Sequence, residues 1–292
     1  MAPREALSGG PRILSVMSGS NHFADRLAAA VERKGAPLCV GLDPDPALMP
    51  EGLGVVEFCR GIVDAVAGIA VAVKPQAAFF EAQGSAGWAE LTDVCGYARD
   101  AGLLVIADAK RGDVPSTARA YAAAFAPLAD AVTVNPYLGY DSLEPFLAHD
   151  GLGMFVLLKT SNPGSEDLQD LPLEDGRPFW QHVAGLIDRL GEDLVGESGL
   201  SSVGAVVGAT HPELLETVRN LLPRAVLLLP GVGAQGGRLD DLTAVFAAGP
   251  ASALPSASRS VLYADRGAGW QEAAAAEAER LAGELRAVAA VG

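Results

Sequence analysis

One short segment of the sequence concentrates groups that could move a proton. It is DAKRGD at 108–113, and it directly follows an apolar run that is typical of a β-strand. Residues two apart on a strand share a face, so Asp108 and Lys110 should point the same way, with Asp113 in the turn beyond them. Two carboxylates beside an ammonium group oppose its deprotonation, which predicts a fixed proton donor at Lys110. The alternative is a surface ion-pair network.

Lysine is rare in this chain and is placed selectively. Of the 21 basic side chains only four are lysines, and three of them, Lys74, Lys110 and Lys159, come at the ends of apolar runs. An ammonium can lose its proton, whereas a guanidinium in practice cannot. Lysines that are retained in an arginine-rich chain therefore suggest chemistry that arginine could not perform.

A glycine-rich loop, GVGAQGG at 231–237, follows another strand-like run. Its G-x-G-x-x-G spelling matches a dinucleotide site, but that site needs an acidic residue about 20 positions later. Residues 250–262 contain none. The loop instead predicts a phosphate site, formed by backbone amides around Gly233 together with the guanidinium of Arg259. The alternative is that the glycines serve only a tight turn.

The segment KTSNPG at 159–164 follows a further strand-like run. A desolvated lysine at this place would permit Schiff-base chemistry of the aldolase type. Metal chemistry finds less support, because the four histidines are scattered without i, i+4 pairing and the sequence has no Cys-x-x-Cys pair. We therefore expect no metal site.

Strand-like apolar runs recur about every 20 to 35 residues, with helical patterns between them. Near-continuous apolar runs are typical of a parallel sheet that is covered on both faces. Eight such units in about 240 residues predict a single α/β domain, a (β/α)8 TIM barrel, with a doubly wound open sheet as the alternative. The runs lie at 38–42, 69–73, 103–107, 131–134, 154–158, 203–208, 225–229 and, less cleanly, 251–263.

The domain boundaries follow from the same pattern. We expect residues 1–20 to form a flexible N-terminal extension and residues 21–292 to form the barrel. The connection between the fifth and sixth strands is irregular, since it is about 40 residues long. Residues 162–200 are acidic and turn-rich at first and then helical, which we interpret as an enlarged crossover on the active-site side rather than a second domain.

Charge and composition exclude several classes of function. The chain has 21 basic and 36 acidic side chains, a formal net charge of −15, which repels phosphate backbones and argues against nucleic-acid binding. No apolar run reaches the roughly 18 to 20 residues of a membrane span. The three cysteines are widely spaced, as expected of free thiols in a reducing compartment, so we expect a cytoplasmic protein.

Five motifs in order resemble the orotidine 5′-phosphate decarboxylase family, in particular its longer type 2 branch. The resemblance covers nearly the whole chain, from about Phe23 to Tyr263. D-x-K-x-x-D alone is shared with related sugar-phosphate barrels, whereas the five together are highly specific. The motifs are GLD at 41–43, VKPQ at 73–76, D-x-K-x-x-D at 108–113, PGVGAQGG at 230–237 and SRS at 258–260.

The resemblance implies both a fold and an activity. The family is built on a (β/α)8 barrel and converts orotidine 5′-monophosphate to uridine 5′-monophosphate and carbon dioxide, the last step of de novo UMP synthesis. It uses no cofactor and works as a homodimer with shared active sites.

Site roles are implied position by position. Lys110 would give its proton to the ring carbon that loses carbon dioxide, and Asp108 would face the departing carboxylate. Lys74 would bridge this network and the ribose, while Asp43 would bind a ribose hydroxyl. Asp113 would reach into the neighbouring subunit's site.

The remaining implied contacts concern the rest of the nucleotide. Thr117 would reach the ribose in the neighbouring subunit's site, and Ser161 would contact the pyrimidine. Gln235 would span the base and the phosphate. Arg259 would hold the phosphate, with Gly233 in the loop beside it.

Two other functions compete with this one. A metal-dependent sugar-phosphate decarboxylase or aldolase of the same barrel group shares D-x-K-x-x-D, although Lys74 at the end of the second strand does not suit its divalent-metal site. A barrel that only binds a nucleotide or a partner protein is the non-enzymatic alternative, and the complete catalytic set argues against it.

Overall fold

The computed structural model describes residues 21–208, 212–232 and 239–291 of the chain. Eight strands form one closed parallel barrel in which neighbours in the sequence are neighbours in the sheet. The strands are β1 Cys39–Leu42, β2 Ala72–Pro75, β3 Leu104–Arg111, β4 Ala131–Val134, β5 Gly153–Lys159, β6 Ser201–Val207, β7 Ala225–Pro230 and β8 Ala253–Ala257.

Helices connect the strands and cover the outside of the barrel. The described α-helices are α1 Phe23–Lys34, α2 Val55–Val66, α3 Ala77–Glu81, α4 Gly87–Asp100, α5 Pro115–Phe125, α6 Tyr140–Leu147, α7 Glu166–Gln169, α8 Phe179–Gly191, α9 Pro212–Leu221, α10 Arg259–Leu262 and α11 Trp270–Ala289. Short 3₁₀ helices occur at Gly84–Ala86, Pro163–Ser165 and Leu239–Phe246. Within the described ranges, no helix is both long enough and apolar enough to cross a membrane.

The barrel is closed by the pairing of its last and first strands. Cys39 of β1 lies opposite Ser256 of β8, and Val40 lies opposite Ala257. The first and last strands of an open doubly wound sheet do not pair, so the predicted (β/α)8 barrel is confirmed and the open sheet is excluded. All carboxyl ends of the strands therefore meet at one end of the barrel, which we call the mouth.

The apolar core has two layers because successive strand residues face opposite sides of the sheet. Residues such as Val40 and Leu42 face the helices in the outer layer. Residues such as Cys39, Ile106 and Phe155 fill the interior of the barrel. The near-continuous apolar strands of the sequence thus reflect burial on both faces.

Helix α1 closes the end of the barrel opposite the mouth. Phe23 and Leu27 belong to the interior layer, and the Phe23 ring meets Phe155 edge to face at 5.7 Å between centroids. Gly153 makes this approach possible, since a Cβ atom there would lie 2.4 Å from the Phe23 ring. The interior is therefore filled at the end opposite the mouth, and a ligand can enter only from the mouth.

The connection between β5 and β6 is enlarged, as predicted. It contains the 3₁₀ turn Pro163–Ser165, helix α7 and helix α8, so its second part is helical as predicted. Its first part folds back over the end of β5, where Thr160 bonds to Gln169. The crossover therefore covers one side of the mouth.

A buried arginine ties together the loops at the closed end. The Arg219 guanidinium donates hydrogen bonds to the carbonyl oxygens of Leu222 at 2.8 Å, Ala225 at 2.9 Å, Val245 at 3.0 Å and Ser252 at 2.7 Å. Burial lowers the pKa of Arg219 to about 10, so the side chain remains a cation at neutral pH. These carbonyls lie where β7 and β8 begin, far along the strands from the mouth.

We expect Arg219→Met to lower the free energy of unfolding by about 3 kcal/mol or more, because it removes four hydrogen bonds from a buried charged donor to carbonyl oxygens. Urea unfolding at pH 7 measures this. The matched control is Arg189→Met, an exposed arginine on α8, which should change stability by less than about 0.5 kcal/mol. A similarly small effect of Arg219→Met would contradict the structural role.

Candidate active site

A cavity of about 340 Å³ opens at the mouth of the barrel. Active sites of this architecture are built at this end. Its floor is apolar and includes Leu157, Val206 and Leu228, while its walls are polar. The polar lining residues are Asp43, Lys74, Gln76, Asp108, Lys110, Thr133, Thr160, Ser161, Asn162, Ser256, Ser258 and Arg259.

Asp108 is the centre of the polar network in this cavity. One carboxylate oxygen, Oδ2, accepts hydrogen bonds from Lys74 Nζ at 2.7 Å and Gln76 Nε2 at 3.0 Å. The other, Oδ1, accepts from Lys110 Nζ and from Thr133 Oγ1, the latter at 2.9 Å. A carboxylate that is only 5 % exposed is thus fully hydrogen-bonded and lies between two ammonium groups.

The electrostatics of this cluster fix its protonation. Burial opposes ionisation of Asp108, but the charges of Lys74 and Lys110 outweigh it and hold the pKa of the carboxyl at about 2. Burial likewise opposes the charge on Lys74, yet Asp108 and Asp43 raise the pKa of that ammonium above its ordinary value. Asp108 is therefore an anion and Lys74 a cation throughout the physiological range.

The backbone at Lys110 is unusual. Its φ of +47° is the only positive φ of a non-glycine residue among those the structure describes. The pairing of β3 with β4 shifts register between Ala107 and Arg111, so the strand is irregular here. Thr133 Oγ1 on β4 accepts the Lys110 backbone N–H at 2.9 Å and holds the conformation, whose strain is on the order of 1 kcal/mol. Lys110 and Asp108 face the same cavity, as predicted, but through this bend rather than through simple alternation.

Asp43 follows β1 and lines the cavity. Its Oδ2 accepts the hydroxyl proton of Ser258, and its backbone carbonyl accepts from Tyr263 Oη at 2.8 Å. Its Oδ1 is buried and has no hydrogen-bond partner among the described residues. A buried acceptor without a donor costs stability, so a ligand hydroxyl at this position would be favourable.

The phosphate end of the predicted site is described in part. Arg259 follows β8, lines the cavity and is exposed, and its guanidinium forms no hydrogen bond or ion pair within the described ranges. Gly233 and Gln235 lie outside the described residues, so their predicted contacts remain predictions.

The end of β5 separates two residues that the sequence placed together. Ser161 lines the cavity, and its backbone packs on Gly208, where a Cβ atom would lie 2.9 Å from Ser161 N. Lys159 is buried and turns away from the cavity. Its Nζ bonds to Asp170 Oδ2 at 2.7 Å and Ser165 Oγ at 3.3 Å. Lys159 is thus a structural cation of the crossover, and the Schiff-base alternative loses the lysine that suggested it.

Asp113 and Thr117 do not line the cavity of their own chain as the structure describes it. Asp113 accepts the backbone N–H of Val114 through Oδ1 at 2.8 Å in the turn after β3, and Thr117 lies in the first turn of α5. Both are partly exposed.

Two residues of the Asp108 network had no predicted role. Gln76 follows β2, and Thr133 lies within β4, each one strand away from Asp108. Their types gave a weak signal, since a polar residue at a strand end is common, and only the pairing register shows that they converge. A cluster of three or more His, Cys, Asp or Glu side chains suited to a metal is not found within the described ranges.

Comparison with known proteins agrees with this geometry. A model of the orotidine 5′-phosphate decarboxylase / HUMPS family matches residues 36–274. The chain belongs to this family. The assignment confirms the family that the five sequence motifs indicated.

Individual relatives match over nearly their whole length. The chain is 48 % identical over 274 residues to an orotidine 5′-phosphate decarboxylase of Roseiflexus castenholzii, covering 91 % of this chain and 98 % of that protein. It is 45 % identical over 281 residues to the Bordetella avium enzyme of the same name, covering 91 % and 99 %. Among solved structures, Leishmania donovani OMP decarboxylase superposes with a TM-score of 0.73 at 36 % identity, covering 91 % of this chain and 98 % of that one.

The pKa of Asp108 gives a prediction about stability. Because this pKa is lower in the folded protein than in the unfolded chain, the stabilisation is present above about pH 4 and is lost as the pH falls towards 2. We expect Asp108→Asn to lower the free energy of unfolding at pH 7 by about 2 kcal/mol, with a smaller difference at pH 3.

Urea unfolding of both proteins at pH 7, 4 and 3 measures this difference. Asp93→Asn is the control, since Asp93 pairs with Arg60 on the surface and should contribute less than about 1 kcal/mol. A pH-independent difference between wild type and Asp108→Asn would contradict the assigned ionisation.

Proposed function

We propose that the protein decarboxylates orotidine 5′-monophosphate to uridine 5′-monophosphate and carbon dioxide, the last step of de novo UMP synthesis, without a cofactor. The observation that carries the proposal is the hydrogen-bonded Lys74–Asp108–Lys110 array at the mouth of the barrel. On this proposal the protein acts in the cytoplasm, where its three buried free cysteines would remain reduced.

Lys110 performs the proton transfer in this reaction. The bond between the pyrimidine ring and the carboxylate carbon breaks, carbon dioxide leaves, and the electron pair stays on the ring carbon. The pyrimidine carbanion so formed has no electron sink, so a cation must lie where the negative charge develops. The Lys110 ammonium is partly exposed to the cavity and held by Asp108 Oδ1. It stabilises the carbanion and then donates a proton to it.

Asp108 contributes through its fixed negative charge. Two like charges about 4 Å apart repel by about 4 kcal/mol at an effective dielectric constant near 20. A substrate carboxylate beside Asp108 is therefore destabilised, and the repulsion disappears when neutral carbon dioxide leaves. The low pKa of Asp108 matters here, because a protonated Asp108 would not repel the substrate.

The rest of the nucleotide supplies the binding energy that offsets this repulsion. Asp43 accepts a ribose hydroxyl through its free Oδ1, and Lys74 lies beside the ribose. The guanidinium of Arg259 binds the phosphate, and Ser161 contacts the base. Gln235 and Gly233 complete the phosphate loop in this proposal on the strength of the sequence motif alone.

We also infer a homodimer with shared sites. Asp113 and Thr117 lie beside a patch of exposed large apolar side chains around the starts of α5 and α6, two helices that pack against each other. Large apolar side chains exposed near one another in this way favour an interaction site. The patch consists of Val114, Tyr137, Leu138 and Tyr140, which are 44 to 72 % exposed.

The first test is turnover by the wild type and by Lys110→Ala, followed as the loss of orotidine monophosphate absorbance. We expect Lys110→Ala to lower kcat by about 10³-fold or more, because it removes both the cation and the proton source. Binding of uridine monophosphate should persist. Lys34→Ala, which removes a lysine bonded to the Ala67 carbonyl outside the cavity, should be fully active. Retained turnover in Lys110→Ala would refute the assignment.

Mixing two inactive variants tests the shared site. When Asp113→Ala and Lys110→Ala chains are unfolded and refolded together, half of the dimers are mixed and each has one intact site. About a quarter of the wild-type activity should therefore return. Asp108→Ala with Lys110→Ala is the control, since both residues belong to the same site and no activity should return. The absence of any recovery in the first mixture would indicate self-contained sites.

A further inference from the structure

The enlarged crossover begins with a segment that is bonded back onto the end of β5. Thr160, which follows β5, and Gln169, the last residue of α7, are joined by two hydrogen bonds. Next to them, Lys159 and Asp170 form an ion pair at 2.7 Å. These contacts place Asn162 at the edge of the cavity.

One fixed donor sets the orientation of the Gln169 amide in this segment. The backbone N–H of Thr160 can only donate, so the Gln169 atom 2.9 Å from it is the carbonyl oxygen Oε1. The amide nitrogen of Gln169 then faces Thr160 Oγ1 at 2.9 Å and donates to it. The hydroxyl proton of Thr160 is left for Asn162 Oδ1, which lies 2.7 Å away.

This relay has a consequence for Asn162. Its oxygen is engaged by Thr160, so the free end of the side chain is its amide nitrogen, a donor. Asn162 Nδ2 has no hydrogen-bond partner among the residues that the structure describes. A donor held in one orientation at a cavity wall selects ligands that carry an acceptor there.

We propose that Asn162 is a specificity-determining residue that donates a hydrogen bond to a carbonyl oxygen of the pyrimidine base. The proposal rests on the function proposed above. Arg259 follows β8, and Asn162 follows β5 on nearly the opposite side of the mouth, so a nucleotide whose phosphate is at Arg259 extends its base towards Asn162. Gln169 is a positioning residue, because it acts on the base only through Thr160 and Asn162.

Two probes, uridine monophosphate and ribose 5-phosphate, distinguish a contact to the base from a general effect on the site, because only the first probe carries the base. Asn162→Asp keeps the size of the side chain but replaces the donor by an acceptor that repels a carbonyl oxygen. We expect it to raise the Kd of uridine monophosphate by about tenfold or more, while the Kd of ribose 5-phosphate changes by less than about twofold. Equal weakening of both probes, or no weakening of either, would overturn the proposal.

Gln169→Glu tests the relay itself. A carboxylate at this position still accepts the Thr160 backbone N–H, so the segment remains anchored. Its second oxygen can only accept, which draws the Thr160 hydroxyl proton away from Asn162 Oδ1. Uridine monophosphate should bind about fivefold more weakly or worse, with ribose 5-phosphate unaffected. A purely structural role for Gln169 predicts no change, and that result would overturn the relay.

Two controls make the outcome specific. Leu168→Ala, an exposed neighbour on α7, should bind both probes as the wild type does. The wild type is also assayed for decarboxylation of orotidine monophosphate. If it binds uridine monophosphate through Asn162 but does not turn over the substrate, the proposed function fails while the base contact stands. If it turns over the substrate and Asn162→Asp binds normally, only the base contact fails.

Discussion

The contact between Asp108 and its two lysines is the interaction on which the rest of the site depends. A buried carboxylate and a buried ammonium are each unfavourable alone, because burial removes both from water. Lys74 and Lys110 compensate Asp108, and Gln76 and Thr133 occupy its remaining acceptor positions. Losing any one of these partners changes the charge balance around Asp108 or leaves one of its acceptor positions empty. The site is therefore a single unit. Three consecutive strands, β2, β3 and β4, must position its members together.

The barrel meets this requirement through its register. β2 and β3 run parallel and adjacent, and Gln76 forms a bridge to Asp108 at the strand ends. Lys74 lies two residues before Gln76 on the same strand, and its Nζ reaches Asp108 Oδ2 at 2.7 Å. An open sheet would also align neighbouring strands, but it would not bring β8 beside β1, where Ser258 bonds to Asp43. Closure thus joins the part of the cavity around Asp43 and Arg259 to the part around Asp108 and Lys110.

Much of this arrangement could be predicted from the sequence because it follows from strand ends. Asp43, Lys74, Asp108 and Arg259 each close or follow an apolar run, and the carboxyl ends of parallel strands converge whatever lies between them. The bend at Lys110 could not be predicted, since it depends on a hydrogen bond to Thr133 across the strand pair. Nor could the turning of Lys159 away from the cavity, because its partner Asp170 lies in a crossover without a regular pattern. The apolar periodicity of a sequence indicates which residues are buried. Which side chains bond to each other across the fold depends on strand register and loop geometry.

The position of Arg219 has a consequence for how this sequence can change over time. Its hydrogen bonds hold the loops at one end of the strands, while the charged network occupies the other end. The stabilising hydrogen bonds of Arg219 thus lie at the opposite end of the domain from the charged network. Substitutions that strengthen the contacts at the closed end can accumulate without disturbing the mouth. The folding stability gained in this way would allow the protein to tolerate destabilising substitutions in its loops. Directed evolution of this barrel could use the same separation.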